Sequence, residues 1–455
     1  MLRGMIAKIL CLLLMLVTAP LSPATERLRV IVETDAGGDP DDEQSLVRFL
    51  LYANEWDVEG IIANRPKARE GENRNARRTG LAIVRGHLEA YGQVYDKLRG
   101  HDPRYPTPAA LGAVIVAGYA DVDDGVQLIL RAVDRDDPRP VWFMNWGTDH
   151  GAAESCLKRA LDRVLKERGI EGYAAFKRKL RLSSADKFAD HTWKIEPAFT
   201  LWTYPMMPDM DGGRWYHRFS PLTKNAGGFN LKRDVLEGHG PLGKLYPTNT
   251  NLPQKEGDSL LFLNLIPNGL NEPEHPEWGS WSGRGGLRDE ADGRRYYWAN
   301  ARDALDGTMH RDHTLTRWAA HLQNDFAARM DWCVTDFAGA NHPPMVRLAG
   351  GREREAKAGE TIALDASGST DPDGQKLSFA WVPYPEAGGY RGPAPTIADP
   401  RAARTRITLP AAAAGQSLHL IVVVTDDGSP ALTRYGRIVV KVAPRPSGSA
   451  DGRGA

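Results

Sequence analysis

Glu33-Thr34-Asp35-Ala36-Gly37-Gly38-Asp39-Pro40-Asp41-Asp42-Glu43 is the stretch on which the fold of this chain turns. It is preceded by Arg29-Val30-Ile31-Val32-Glu33-Thr34, which is short and β-branched, the composition of a buried strand. Asp41 to Tyr52 follows as an amphipathic segment that opens on acidic residues, which suit the positive end of a helix dipole. Strand, acidic loop and helix together start an α/β unit, and in open α/β sheets ligands bind beyond the carboxyl ends of the strands. Four aspartates within eight residues repel one another unless something positive sits among them. Gly37 and Gly38 let the backbone fold tightly enough for Asp35 to approach Asp41 and Asp42. Clustered carboxylates of this kind suit a hard, oxygen-binding cation such as calcium. Helix capping is the competing explanation, with Asp39 as N-cap and Pro40 in the first helical position. It leaves Asp35 and the glycine pair unexplained.

Outward from this loop, strand-like and helical stretches alternate. Val58–Ala63, Pro140–Asn145, Leu180–Ser183 and Ser259–Asn264 read as strands, and segments near 75–90, 126–133, 152–166 and 314–330 as helices. That alternation argues for a largely parallel sheet flanked by helices over residues 25–341. The stretches 204–258 and 267–295, rich in Gly, Pro and aromatics, resist regular assignment, and long irregular loops in a compact domain usually cover a site. Beyond Asn341-His342-Pro343-Pro344 the pattern changes to short strands separated by turns such as Asp373-Gly374 and Asp427-Gly428. This predicts an all-β, immunoglobulin-like sandwich over 342–443 and a disordered tail over 444–455. Asp371, Asp373 and Asp426 in that part suit either a structural calcium or simple Asx turns.

The 455 residues carry 58 Lys+Arg and 58 Asp+Glu, so charge gives no reason to expect nucleic acid or an anionic membrane as partner. Arg3 and Lys8 precede the apolar run Ile9–Val17, and Ser22-Pro23-Ala24 offers small residues for cleavage, so 1–24 reads as a secretory signal too short to anchor the chain. The chain is therefore expected in the periplasm or outside the cell. Cys156 and Cys333 then remain, and oxidising conditions would permit one disulfide.

Strand, Thr34-Asp35, glycine, then Asp41-Asp42 opening a helix resembles the signature of the nucleoside hydrolases. The string Thr34–Leu46 is closer to a secreted branch of that superfamily, usually called cellulose-binding proteins. Gly240–Gly243, Leu265–Leu270, His275–Gly279 and Gln323–Arg329 resemble that branch too, and the similarity covers about 29–443. Leu364–Gly374 resembles the loop of PKD and related immunoglobulin-like modules. The resemblance implies a nucleoside-hydrolase-like fold with calcium in its acidic loop. It implies Asp35 as general base and metal ligand, Asp41 and Asp42 as the pair that binds sugar and metal, and Asn64 as a substrate contact. It places Trp146-Gly147-Thr148-Asp149 at a loop whose Thr148 carbonyl ligates the metal. Glu33 stands where the hydrolases carry an aspartate, Gly38-Asp39 look like an insertion, and Glu277 is the candidate for a missing late carboxylate. Substrate contacts are expected from Asp39, Asp41, Asn64, Trp146, Asp149, Asn268, His275 and Trp278.

The expected function is hydrolysis of a glycosidic bond, an N-ribosyl bond first, by calcium-assisted attack of water. The partner is a sugar-containing small molecule or glycan. Two alternatives stand beside it: a non-catalytic carbohydrate-binding protein using the same pocket, and a structural or adhesive surface protein in which the sandwich dominates.

Overall fold

The computed structural model describes residues 26–147, 155–184, 202–205, 218–250, 254–291, 294–298 and 300–445. The signal segment 1–24, Thr148, Asp149 and the tail from 446 lie outside the described residues.

Eight strands, β1 (Leu28–Thr34), β2 (Trp56–Ala63), β3 (Ile115–Ala117), β4 (Val141–Asn145), β5 (Leu180–Ser184), β6 (Trp202–Pro205), β7 (Gly286–Ala291) and β8 (Arg294–Trp298), form one sheet. Their order is β3-β2-β1-β4-β5-β6-β8-β7. All neighbours pair in parallel except the edge hairpin of β7 and β8. The chain builds outward from β1 to β2 and β3, then crosses back to place β4 on the other side of β1. The topological switch point therefore lies between β1 and β4, whose ends meet at Glu33 and Asn145.

Five helices, α1 (Asp41–Leu51), α2 (Gly80–His101), α3 (Asp124–Asp134), α4 (Cys156–Arg178) and α5 (Ala319–Trp332), cover both faces. Side chains alternate along a strand, so Val30 and Val32 enter one core with Trp142 and Met144, against residues of α1, α2 and α5. Ile31 enters the other with Val141 and Phe143, against α3 and α4. Burial on both faces is why these strands read as continuous apolar runs. Among the described residues no helix is long and apolar enough to cross a membrane.

One expectation is corrected, and one open question is answered. Ser259–Asn264 is no strand: Gly257–Leu261 and Leu263–Leu265 are 3-10 turns, with Leu260 to Leu263 wholly buried. A short apolar run has no period that tells a strand from a buried helical turn. Cys156 and Cys333 form no disulfide; each is a buried free thiol, one beside Gly118 and the other bonded to the carbonyl of Arg329.

A small hairpin, β9 (Asp303–Leu305) and β10 (Thr308–His310), precedes α5. The C-terminal part is all-β, built from β11 (Glu353–Ala356), β12 (Thr361–Asp365), β13 (Ser378–Pro383), β14 (Arg404–Thr408), β15 (Ser417–Thr425) and β16 (Thr433–Val442). A four-stranded sheet, β11-β16-β15-β13, and the pair β12-β14 enclose a core around Trp381, Leu420 and Ile438. Asp371 and Asp426 each accept two backbone N–H bonds from residues just ahead, as Asx turns do.

The β part is bonded tightly to the α/β part. The Tyr435 N–H donates to the Asn268 carbonyl at 3.0 Å, and the Arg437 guanidinium donates to the carbonyls of Leu270 and Gly279. Gly269, at φ +86°, lets β16 come this close, because a Cβ there would lie 2.0 Å from the Tyr435 oxygen.

Candidate functional site

The acidic loop leaves β1 at the switch point. Gly37 takes φ +97°, a conformation that favours glycine, and the Gly38 N–H closes the turn on the Asp35 carbonyl at 2.9 Å. Helix α1 starts at Asp41 with Pro40 before it and no side chain capping its end. Asp39 is therefore not the N-cap; its carboxylate meets the ammonium of Lys255. Asp39, Asp41 and Asp42 bring carboxylate oxygens within 4.8 Å of one another, the one such acidic group among the described residues.

The sequence did not single out the fifth carboxylate. Asp258 lies on the 3-10 turn after Glu256, 2% exposed, and its Oδ2 is buried without a hydrogen-bond partner. Its charge and those of Asp35, Asp39, Asp41 and Asp42 act on one another. Burial, then Asp258 and Asp39, push Asp41 well above the usual carboxylate range. Burial, then Asp258, Asp35 and Asp41, do the same to Asp42, and burial with Asp35 and Asp39 raises Asp258. Burial also acts against Asp39, but its bond with Asp41 and the Lys255 ammonium outweigh it and hold Asp39 low.

Two cations stand in the pocket. Arg65 Nη2 donates to Asp35 Oδ2 at 2.9 Å and Arg65 Nε to the Asp35 carbonyl at 3.2 Å. Lys255 Nζ contacts Asp39 and lies 3.6 Å from Asp41 Oδ2.

Helix α1 builds both halves of this arrangement. Its first turn carries Asp41 and Asp42, and one face further along carries Gln44 and Arg48, four residues apart. Gln44 Oε1 accepts the N–H groups of Lys255 and Glu256 at 2.7 and 3.0 Å. Arg48 pairs with the Glu256 carboxylate, which also accepts from Tyr246, Gln254 and Ser259. Glu256 thereby holds φ +39°, rare for a non-glycine residue, and turns Lys255 and Asp258 toward the aspartates.

The other sequence-derived candidates fall in several places. Thr34 Oγ1 donates to Asp42 Oδ1, which ties the strand to the helix start. Glu33 faces the opposite side of the sheet and accepts from Ser155 Oγ and the Cys156 N–H at 2.7 and 2.8 Å, so it serves the start of α4. Asn64 Nδ2 donates to the Gly147 carbonyl at 2.8 Å and its Oδ1 is left without a partner beside the loop. Trp146 is 3% exposed and packs on Phe49 and Phe262, so its ring belongs to the core below the pocket.

His275, Glu277 and Trp278 are corrected in position. His275 stacks on Trp278 with ring centres 4.0 Å apart and bonds Glu277 at 2.9 Å, while Trp278 meets His419 edge-on. They sit at the junction with β15 and β16, and the carboxylate later in the chain whose charge acts on Asp41 and Asp42 is Asp258. Asn268 belongs to the same junction, its Oδ1 accepting the N–H groups of Leu270 and Asn271. The signal for Asp258 was slight: an acid beside a glycine, just before the buried run Leu260–Leu263.

A model of the family described as "Cellulose-binding Sde182, nucleoside hydrolase-like domain" matches residues 29–284, more than half of the chain. This chain belongs to that family. A second model, "Cellulose-binding protein Sde0182, C-terminal domain", matches 361–442, the all-β part. Among solved structures, a nucleoside hydrolase-related hypothetical protein from Saccharophagus degradans, described as associated with carbohydrate metabolism, is 31% identical. The match covers 92% of this chain and all of that one, with a TM-score of 0.72. The PKD domain from KIAA 1837 protein is 19% identical over 23% of this chain and 93% of that chain, and its TM-score of 0.17 carries no argument. No curated protein is similar to this chain.

The pocket fits a divalent cation. Asp39, Asp41 and Asp42 offer the all-oxygen donor set that calcium prefers, and Asp258 Oδ2, whose charge acts on Asp41 and Asp42, is an orphaned, buried acceptor.

Proposed function

We propose that this chain binds a sugar at the acidic pocket and hydrolyses its glycosidic bond, an N-ribosyl bond first. The observation that carries this reading is the convergence of Asp35, Asp39, Asp41, Asp42 and Asp258 on the switch point, with one oxygen of Asp258 left without a partner. Asp39, Asp41, Asp42 and Asp258 would hold the ion. When bound there it supplies a charge that orients the sugar hydroxyls and acidifies a water molecule. The carboxylates stabilise positive character at the anomeric carbon as the bond to the leaving group breaks, and the leaving group takes up a proton from solvent. Asp35, its plane fixed by Arg65, takes the proton of the attacking water. Asn64 lies at the edge of this loop through its bond to the Gly147 carbonyl, and its buried Oδ1 would meet a substrate hydroxyl only where the loop opens to it. The family description and the printed title of the Saccharophagus degradans structure support a carbohydrate partner. Export by the N-terminal segment belongs to the same proposal.

One observation favours non-catalytic carbohydrate binding as a second reading. Arg65 already occupies Asp35 Oδ2, and a guanidinium there competes with water for the lone pairs a base must offer. Asp35→Asn separates the two. Turnover of nucleosides and p-nitrophenyl glycosides is measured beside calorimetry with ribose and cellobiose, all in calcium. A hydrolase loses about 10²–10⁴-fold in turnover in the variant with affinity nearly kept. Sugar binding by the wild type without turnover supports the binder, and neither binding nor turnover refutes both.

A further inference from the structure

Lys255 brings an ammonium in among the carboxylates that would hold the ion. Its Nζ contacts Asp39, lies 3.6 Å from Asp41 Oδ2, and sits on a side chain only 14% exposed. Asp39 and Asp41 are also two of the three residues whose oxygens gather within 4.8 Å. The ammonium and a divalent ion therefore want the same oxygens.

The backbone at this point is held independently of that side chain. Gln44 accepts the N–H groups of Lys255 and Glu256, and the Glu256 carboxylate is fixed by Arg48, Tyr246, Gln254 and Ser259. The four-carbon stem of Lys255 can swing outward while the turn that carries Asp258 stays in place. The pocket is thus built to be neutralised in two ways. With Lys255 inward, Asp39 and Asp41 have a tethered counter-charge and the cluster survives without an ion. With an ion bound, repulsion between like charges at this distance forces the ammonium out.

We propose that Lys255 is a tethered counter-cation that competes with a divalent ion for Asp39 and Asp41, so that ion binding expels its ammonium toward solvent. The proposal rests on the cation reading of the pocket given above. It gives Lys255 a specific role: it sets how much calcium the pocket needs before it fills.

Calcium calorimetry on the full chain, as wild type, Lys255→Gln and Lys255→Arg at fixed pH and ionic strength, tests it. Lys255→Gln is expected to bind calcium at least tenfold more tightly, and Lys255→Arg to bind like the wild type. Amine acetylation of the wild type, read by mass spectrometry, gives a second measurement that needs no variant. Calcium is expected to raise labelling of Lys255 severalfold relative to Lys67, whose side chain is already 75% exposed. Equal or weaker calcium binding by Lys255→Gln overturns the proposal, and so does labelling of Lys255 that calcium leaves unchanged. If the wild type binds calcium and Asp258→Asn does not, either of those results removes the competition alone and leaves the cation site standing. If no form binds calcium, the cation reading and the proposal fall together.

Discussion

Asp258→Asn is expected to make the protein more stable without calcium and less stable with it. Five carboxylates share the pocket with the guanidinium of Arg65 and the ammonium of Lys255, and Asp258 is the one with a buried oxygen that nothing satisfies. Leaving such an acceptor unpaired costs about 1–3 kcal/mol, and its charge adds repulsion from Asp35 and Asp39. Asparagine keeps the shape, removes the charge and offers two N–H donors to the neighbouring aspartates. In EDTA at pH 7.5 the variant should gain about 1–2 kcal/mol. Calcium at a hundred times its Kd stabilises the wild type by about 2.7 kcal/mol, and the variant, short of a charged ligand, by far less. The ranking of the two proteins therefore inverts when the ion is added. The pH dependence has a definite sign. Asp41, Asp42 and Asp258 are raised above 3.8, so their share of stability is full below that value and is lost as pH rises through the raised values. The advantage of Asp258→Asn in EDTA accordingly grows from pH 4 to pH 8. Urea unfolding followed by tryptophan fluorescence, with and without calcium, measures all of this. A variant less stable in EDTA, or calcium stabilising both proteins equally, would refute the reasoning.

Three further outcomes concern the frame that holds the pocket. Burial, then Arg437 and His275, lower His419 to about 3, so its neutral form favours folding above pH 6.5 and that contribution is lost as pH falls toward 3. The loss is about 2 kcal/mol by pH 5, and urea midpoints of His419→Gln should fall less over that interval than those of the wild type. Arg48→Met strands the Glu256 carboxylate in the core, at a cost of about 3–5 kcal/mol in urea unfolding, and abolishes calcium binding by freeing the turn that carries Asp258. Gly269→Ala puts a methyl group against the Tyr435 oxygen and strains a left-handed residue, so it should cost more than about 1 kcal/mol and speed amide exchange at Tyr435.

How much of this was legible depended on how local the determinants are. Val30-Ile31-Val32 between charged neighbours specifies a strand buried on both faces, and Asp41-Asp42 at the start of an amphipathic run specifies a helix that opens beside it. Both follow from periodicity over a few residues, and so does the change to short strands after residue 341. Asp39 was less legible. An aspartate before a proline suits a helix cap, and only the approach of Lys255, 216 residues later in the chain, turns it to another partner. The run Leu260–Leu263 was misread for the same kind of reason: its burial is certain from composition, but its backbone is chosen by the turn that Glu256 and Gln44 impose.

The sequence by itself determined that an acidic loop leaves a buried strand at the carboxyl end of a parallel sheet. It determined this because hydrophobic alternation, glycine in a tight turn and acids in a first helical turn are short-range physics. Only the tertiary structure decided which charges complete the pocket. Lys255 and Asp258, on one turn, and Arg65, in another segment, reach it, the turn through hydrogen bonds to partners more than two hundred residues away. The aromatic and acidic residues around His275 gave a local pattern no weaker than theirs, yet the fold turned them toward β15 and β16. A carboxylate's role is set by the charges that surround it, and those are assembled by folding.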